Sequence, residues 1–102
     1  MIDNRFASVT LGEDQKIILT GNLDVVSAEN VFQVGLRIIQ EQDSYIIVDL
    51  AGIEKSDSAG LATLVAWRNY CTNHQKIITF VNLPPQILAM AKLCGLEEII
   101  IG

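Results

Sequence analysis

At 102 residues, half of them hydrophobic and 19% charged, the chain is too short for two hydrophobic cores and too apolar for a disordered segment. Seven basic residues against twelve acidic give a net charge of −5, which opposes nucleic-acid phosphates and anionic lipid headgroups and disfavours direct binding to either. No apolar run approaches the ~18 residues of a membrane span, and the N-terminus lacks a basic region followed by an apolar one, so a cytoplasmic protein without direct membrane insertion is expected.

The first elements are short and β-prone. "FASVTL" (6–11) and "KIILTG" (16–21) flank the polar, glycine-containing "GEDQ", which predicts an antiparallel hairpin. From Asp24 or Ser27 the period changes: Ala28, Val31, Phe32, Gly35, Ile38 and Ile39 recur at three- and four-residue steps, with Glu29, Gln33, Arg37 and Gln40 between them. This is an amphipathic helix of about four turns. Gly35 lies on its apolar face, where it costs about 1 kcal/mol against alanine and predicts close packing against a sheet.

"YIIVDL" (45–50) reads as a central strand buried on both faces. A second helix follows, beginning at or just after Asp57 and running to about His74, with Leu61, Leu64, Val65 and the stem of Arg68 on one side. "KIITFV" (76–81) is the next strand. "LPPQILAMAKLCG" (83–95) reads as a third helix, with Pro84 and Pro85 near its first turn and Gly95 placed for a left-handed C-terminal cap. "EEIIIG" (97–102) is expected to close the chain as a strand. The order β-β-α-β-α-β-α-β, with right-handed crossovers, makes residues 1–102 one α/β domain: a mixed sheet, hairpin first and parallel strands after, packed against about three helices.

Chemistry centres on "SDSAG" (56–60), between the "IIVDL" strand and the second helix. A nucleophilic serine needs a base within reach, and the only histidine, His74, falls sixteen residues on at the far end of the same helix, roughly 20–25 Å away. No phosphate loop, dinucleotide fingerprint, nucleophile elbow or metal-ligand cluster is present, so no cofactor or metal is expected. Asp49 and Asp57 flank the strand-to-helix connection and could approach each other, without a pocket that would make them an acid–base pair. An enzyme is the least favoured reading. Cys71 and Cys94 lack metal-motif spacing and read as two reduced thiols in or near the core.

Two readings of Ser58 then stand side by side. Asp57 or Ser58 can cap the helix, and a phosphoryl group on Ser58 would meet the positive end of the helix dipole while adding negative charge to any surface docked there. Asp57 next door would repel that group.

At these residues the chain resembles the STAS domains, a family named for sulfate transporters and anti-sigma factor antagonists. "LTGNLD" (19–24), "IIVDLAGIEKSDSAGLATL" (46–64) and "AKLCGLEEII" (91–100) carry the resemblance, and the middle block is its specific part. It implies a partner-binding module whose surface comprises Asp24, Asp57, Ser58, Ala59, Gly60 and Thr63, with Ser58 at the family's phosphoacceptor position. "DSAGLATLVAW" and "FVNLPPQILAMAKL" look most similar to MlaB-like subunits, which implies binding to the ATPase subunit of a phospholipid-transporting ABC system and membrane association only through that complex. The related anti-sigma factor antagonists imply instead an anti-sigma factor or serine kinase as partner. They commonly have Asp-Ser-Ser-Gly where this chain has Ala59. Trp67 reads either as core or, if it faces outward, as the aromatic anchor of a small-residue groove with Ala59, Thr63 and Ala66.

Overall fold

The computed structural model describes residues 7–101. Its elements are β1 (Ser8–Leu11), β2 (Ile17–Leu23), α1 (Ala28–Glu41), β3 (Tyr45–Ser56), α2 (Ser58–Asn73), β4 (Ile77–Val81), α3 (Pro85–Leu93) and α4 (Glu97–Ile101). The sheet runs β1-β2-β3-β4, antiparallel in the first pair and parallel in the other two. Both crossovers advance in the same direction, so right-handed connections place α1 and α2 on one face. The hairpin, mixed sheet and first three helices are as expected. Phe6 and Gly102, the outer residues of two expected strands, lie outside the described residues.

Three expectations are corrected. "EEIIIG" is helix α4 through Ile101, not a strand: Gly95 turns the chain with φ +70°, Leu96 N–H donates to the Ala91 carbonyl at 2.7 Å, and Glu97 and Glu98 occupy the first turn. This geometry folds Ile100 into the core, and acidic residues at a helix start are favoured by its dipole. Secondly, β3 is buried on one face only: Ile46, Val48 and Leu50 point at the helices, while Tyr45 is 75% and Ile47 43% exposed on the other side. An unbroken apolar run carries no periodicity that separates a two-faced strand from a strand with one uncovered apolar face.

The third concerns Gly35, which packs against a helix rather than the sheet. A Cβ at Gly35 would collide with the Trp67 indole, lying 2.8 Å from both Cε2 and Cη2. Trp67 is fully buried, and its Nε1–H donates to the Phe32 carbonyl at 3.2 Å, so one residue fills the α1–α2 crossing and satisfies its own polar atom. It is core, and its side chain does not belong to a partner surface.

β3 also runs six residues past Leu50. Against β2 it carries two extra residues, where Ile18↔Asp49 is followed by Thr20↔Gly52 and Gly21↔Ile53 by Asn22↔Lys55. Each bulge resets the alternation, leaving Ala51-Gly52 and Glu54-Lys55 as exposed pairs. The strand thereby reaches the end of β2, where Asp57 N–H donates to the Leu23 carbonyl at 3.3 Å. At the opposite end of α1, Lys76 Nζ donates to the carbonyls of Ile39 and Gln42, both at 2.7 Å, and so caps that helix from the start of β4.

The Gly35→Ala variant tests the crossing. Helix propensity alone favours alanine by about 1 kcal/mol, but the collision with a fully buried indole should outweigh it and destabilise the fold by roughly 1–3 kcal/mol. A lowered midpoint in chemical denaturation is the expected result.

Candidate functional site

The carboxyl ends of β2 and β3 meet at Asp57. Its Oδ1 accepts the Ala59 N–H at 2.9 Å, capping α2, and its Oδ2 accepts the Val25 N–H at 3.2 Å, holding the β2–α1 loop. One carboxylate therefore ties the start of a helix to a segment 32 residues earlier. Asp24 organises that segment from within: its Oδ1 accepts from the N–H groups of Val26 at 3.1 Å and Ser27 at 3.3 Å, and Ser27 Oγ donates to the Asn22 carbonyl at 2.8 Å. These bonds occupy the peptide groups of a tight turn and leave Val25 and Val26 with nowhere to go but outward, 74% and 69% exposed.

Ser58 is the first residue of α2, and it is exposed. Along α2 from Ser58, Ala62 is exposed and Ala59 and Ala66 are half-buried, so the ridge of the helix is made of small apolar side chains. A groove of about 340 Å³ runs on one side of it, between Ala28, Glu29 and Phe32 of α1 and Ala59, Ala62, Thr63 and Ala66. On the other side a hollow of about 380 Å³ is lined by Ser58, Leu61, Ala62, Val65, Ala66, Cys94 and Leu96. Both walls are almost wholly apolar. Leu93, 88% exposed at the end of α3, directly precedes Cys94 of the second. Two apolar hollows thus flank the alanine ridge of α2, and with the exposed Ser58 at its start they form an apolar collar.

The expected site residues divide by role. Asp57, Ser58 and Ala59 form the cap and first turn of α2, and the loop after Asp24 is tied to them through Asp57. Gly60 is buried, and a Cβ there would meet Ser56 Oγ and lie 2.8 Å from the Leu23 carbonyl oxygen, so it seats α2 against β2 and touches nothing outside. Thr63 is 5% exposed and returns its hydroxyl to the Ala59 carbonyl at 3.0 Å, contributing only its methyl side to the groove wall. Val25, Val26, Phe32, Ala62, Leu93 and Leu96 were not anticipated. The adjacent valines directly after Asp24, outside the helical period, were the one sequence signal available for any of them.

Other chemistry is not assembled. His74 lies past the far end of α2, about 24 Å along the helix from Ser58, where its Nδ1 is 2.9 Å from the Tyr70 carbonyl oxygen. Asp49 and Asp57 do not meet, being separated by seven residues of strand, on the order of 20–25 Å. Asp49 instead serves the first bulge: Oδ1 accepts from Asn82 Nδ2 at 3.0 Å and Ala51 N–H at 2.9 Å, and these bonds hold its carboxyl below the usual carboxylate range. Cys71 is buried, which raises its thiol pKa, whereas Cys94 is exposed at the second hollow rather than in the core; both are free. Among the described residues no three His, Cys, Asp or Glu side chains form a metal cluster, and no helix is long and apolar enough to cross a membrane.

The family model described as "Mlab, STAS domain" matches residues 7–102. No curated protein matches the chain. Among solved structures, an anti-sigma factor antagonist from Mycobacterium paratuberculosis is 20% identical, with a TM-score of 0.73 over 92% of this chain and 80% of that one. The Bacillus cell fate determinant SpoIIAA in its phosphorylated form is 15% identical, with a TM-score of 0.67 over 93% and 88% of the two chains. The unphosphorylated form of SpoIIAA, also 15% identical, gives 0.68 over 93% and 85%. These structures share the fold.

Two substitutions test the roles of the carboxylates. Asp57→Ala should lose about 1–2 kcal/mol of stability, whereas Asp57→Asn, whose single amide oxygen can keep the bond from Ala59 N–H but not also the one from Val25 N–H, should fall between wild type and alanine; denaturation midpoints distinguish them. For Asp49, the folded pKa is depressed, so its stabilising contribution is complete above the unfolded value near ~3.9 and is lost as pH falls through the folded one. Asp49→Asn should therefore show a smaller drop in thermal midpoint than wild type between about pH 7 and about pH 3.

Proposed function

The chain belongs to the STAS domain family, and on that premise we propose that it is a non-enzymatic interaction module, an MlaB-like subunit docking on the ATPase of a phospholipid-transporting ABC system. The observation that carries the reading is the apolar collar around Ser58. Two apolar hollows flank a helix ridge of alanines, and Val25 and Val26, in the loop that Asp57 ties to the start of that helix, and Leu93, next in the chain to Cys94 of the second hollow, are far more exposed than large aliphatic residues on an unpartnered surface need be. A ridge of small side chains lets another backbone approach closely, while the flanking hollows accept larger apolar side chains. The description of the matching family model, which names Mlab, favours the transporter setting. In that role the domain works in the cytoplasm, reaches the membrane only through its partner and leaves lipid to other subunits.

The second reading, an anti-sigma factor antagonist switched by phosphorylation of Ser58, is favoured by one feature. Ser58 is exposed at the centre of the collar, beside the carboxylate of Asp57. A phosphoryl group there would set about −1.5 to −2 charge next to an existing anion, in the middle of a surface a partner must desolvate.

Ser58→Asp and Ser58→Arg should each weaken docking to the purified ATPase at least about tenfold, about 1.4 kcal/mol, with an unchanged circular dichroism spectrum. Titration calorimetry reads this directly, and unchanged affinity would remove the collar as the docking surface. Incubation with the serine kinase of an anti-sigma system and ATP separates the readings: one phosphate on Ser58 supports the switch, and none supports the transporter subunit.

A further inference from the structure

We propose that β4 is a second interface, at which two copies of this chain pair edge to edge into one continuous sheet. Because the last segment is helix α4 rather than a strand, β4 is left as the outer strand of the sheet. Its five residues, Ile77-Ile78-Thr79-Phe80-Val81, contain no charge and no proline, and they pair with β3 without a bulge. None of the devices that keep edge strands apart is present.

The hydrogen-bonding direction follows from one contact. Ile77 N–H donates inward to the Ser44 carbonyl at 2.7 Å, so Ile77, Thr79 and Val81 face β3 with their peptide groups. Ile78 and Phe80 therefore turn their N–H and C=O groups outward, and no bond to these outward groups occurs among the described residues. These two sets are symmetric about Thr79. A two-fold axis there makes Ile78 and Phe80 of opposite copies exchange both bonds, four in all, and sets Ile77 against Val81 and Thr79 against Thr79.

The side chains suit this register. On the uncovered sheet face, Ile77 is 54% exposed beside Tyr45, and the pairing covers it with the partner's valine. Two molecules of net charge −5 oppose association in general, but the contacting strands are uncharged and nothing like-charged is brought directly opposite. A second copy is the favoured occupant because the edge is complementary to itself in composition, hydrogen bonding and register. β1, the other edge, is four residues long and lies away from Tyr45 and Ile77.

Thr79 is exposed, so it can be changed without touching the core. On the axis it forms a non-hydrogen-bonded pair with Cα atoms about 4.5 Å apart, inside the range a disulfide spans. The experiment combines sedimentation velocity across a concentration series with oxidative cross-linking of Thr79→Cys in a Cys94→Ser background, using Thr10→Cys on β1 as control. Wild type should approach twice 11.2 kDa, Thr79→Lys should stay at the monomer mass, and only Thr79→Cys should form a linked dimer. A wild type that sediments as a monomer throughout, a dimer that survives Thr79→Lys, or equal cross-linking of the two cysteine variants would each overturn the proposal.

Discussion

The placement of Trp67 against Gly35 governs the rest of the helical layer. An indole is the largest object this core contains, and it is accommodated by removing every side-chain atom from the facing position of α1. The two helices can then approach with the ring between them, and the Phe32 carbonyl receives the one polar hydrogen that burial would otherwise strand. On the N-terminal side of this crossing, the space between Phe32 and the alanines of α2 remains open as the first apolar groove. Core packing and surface shape are thus consequences of one contact.

Asp57 performs the corresponding task for the loops. A single carboxylate caps α2 and grips the Val25 peptide, so residues from two connections form one surface instead of two independent loops. Its anchoring of Val25 matters because exposed valines on a mobile loop would lose much of their binding value to ordering entropy. Gly60 adds the steric half of the same arrangement by letting α2 start in contact with the end of β2. Ser58 is then presented outward by necessity: the residues on either side are held, and its own hydroxyl is the exposed group at their centre.

The distribution of apolar surface follows from a one-sided sheet. All four helices gather on one face, so alternate residues of β3 and β4 are left uncovered even though they are tyrosine and isoleucine. Half the chain is hydrophobic, and six of the ten large apolar residues left exposed among the described residues fall into two groups, Val25, Val26 and Leu93 near the α2 collar and Tyr45, Ile47 and Ile77 on the uncovered face of β3 and β4. Such concentration has the character of contact surface.

How much was legible in the sequence depended on whether the determining interaction was local. Helix α1 announced itself through a 3.6-residue period, α3 through prolines at its start and Gly95 at its end, and the hairpin through alternating β-prone runs around a polar turn. The "DSAG" block placed Asp57 and Ser58 correctly at a helix start, because capping is an interaction within one turn. Isoleucine runs were ambiguous: "YIIV" does not say whether one face or two will be covered, and "EEIII" does not say whether it pairs with β4 or folds back over it. Those outcomes depend on what packs nearby, as did the inward turn of Trp67, the union of Val25 with the Ser58 helix and the exposure of Leu93. Sequence by itself determined the order of elements and the position of the hydroxyl, since both rest on contacts between near neighbours; tertiary structure alone decided which apolar residues became core and which became surface, since burial is a property of the partner across the interface.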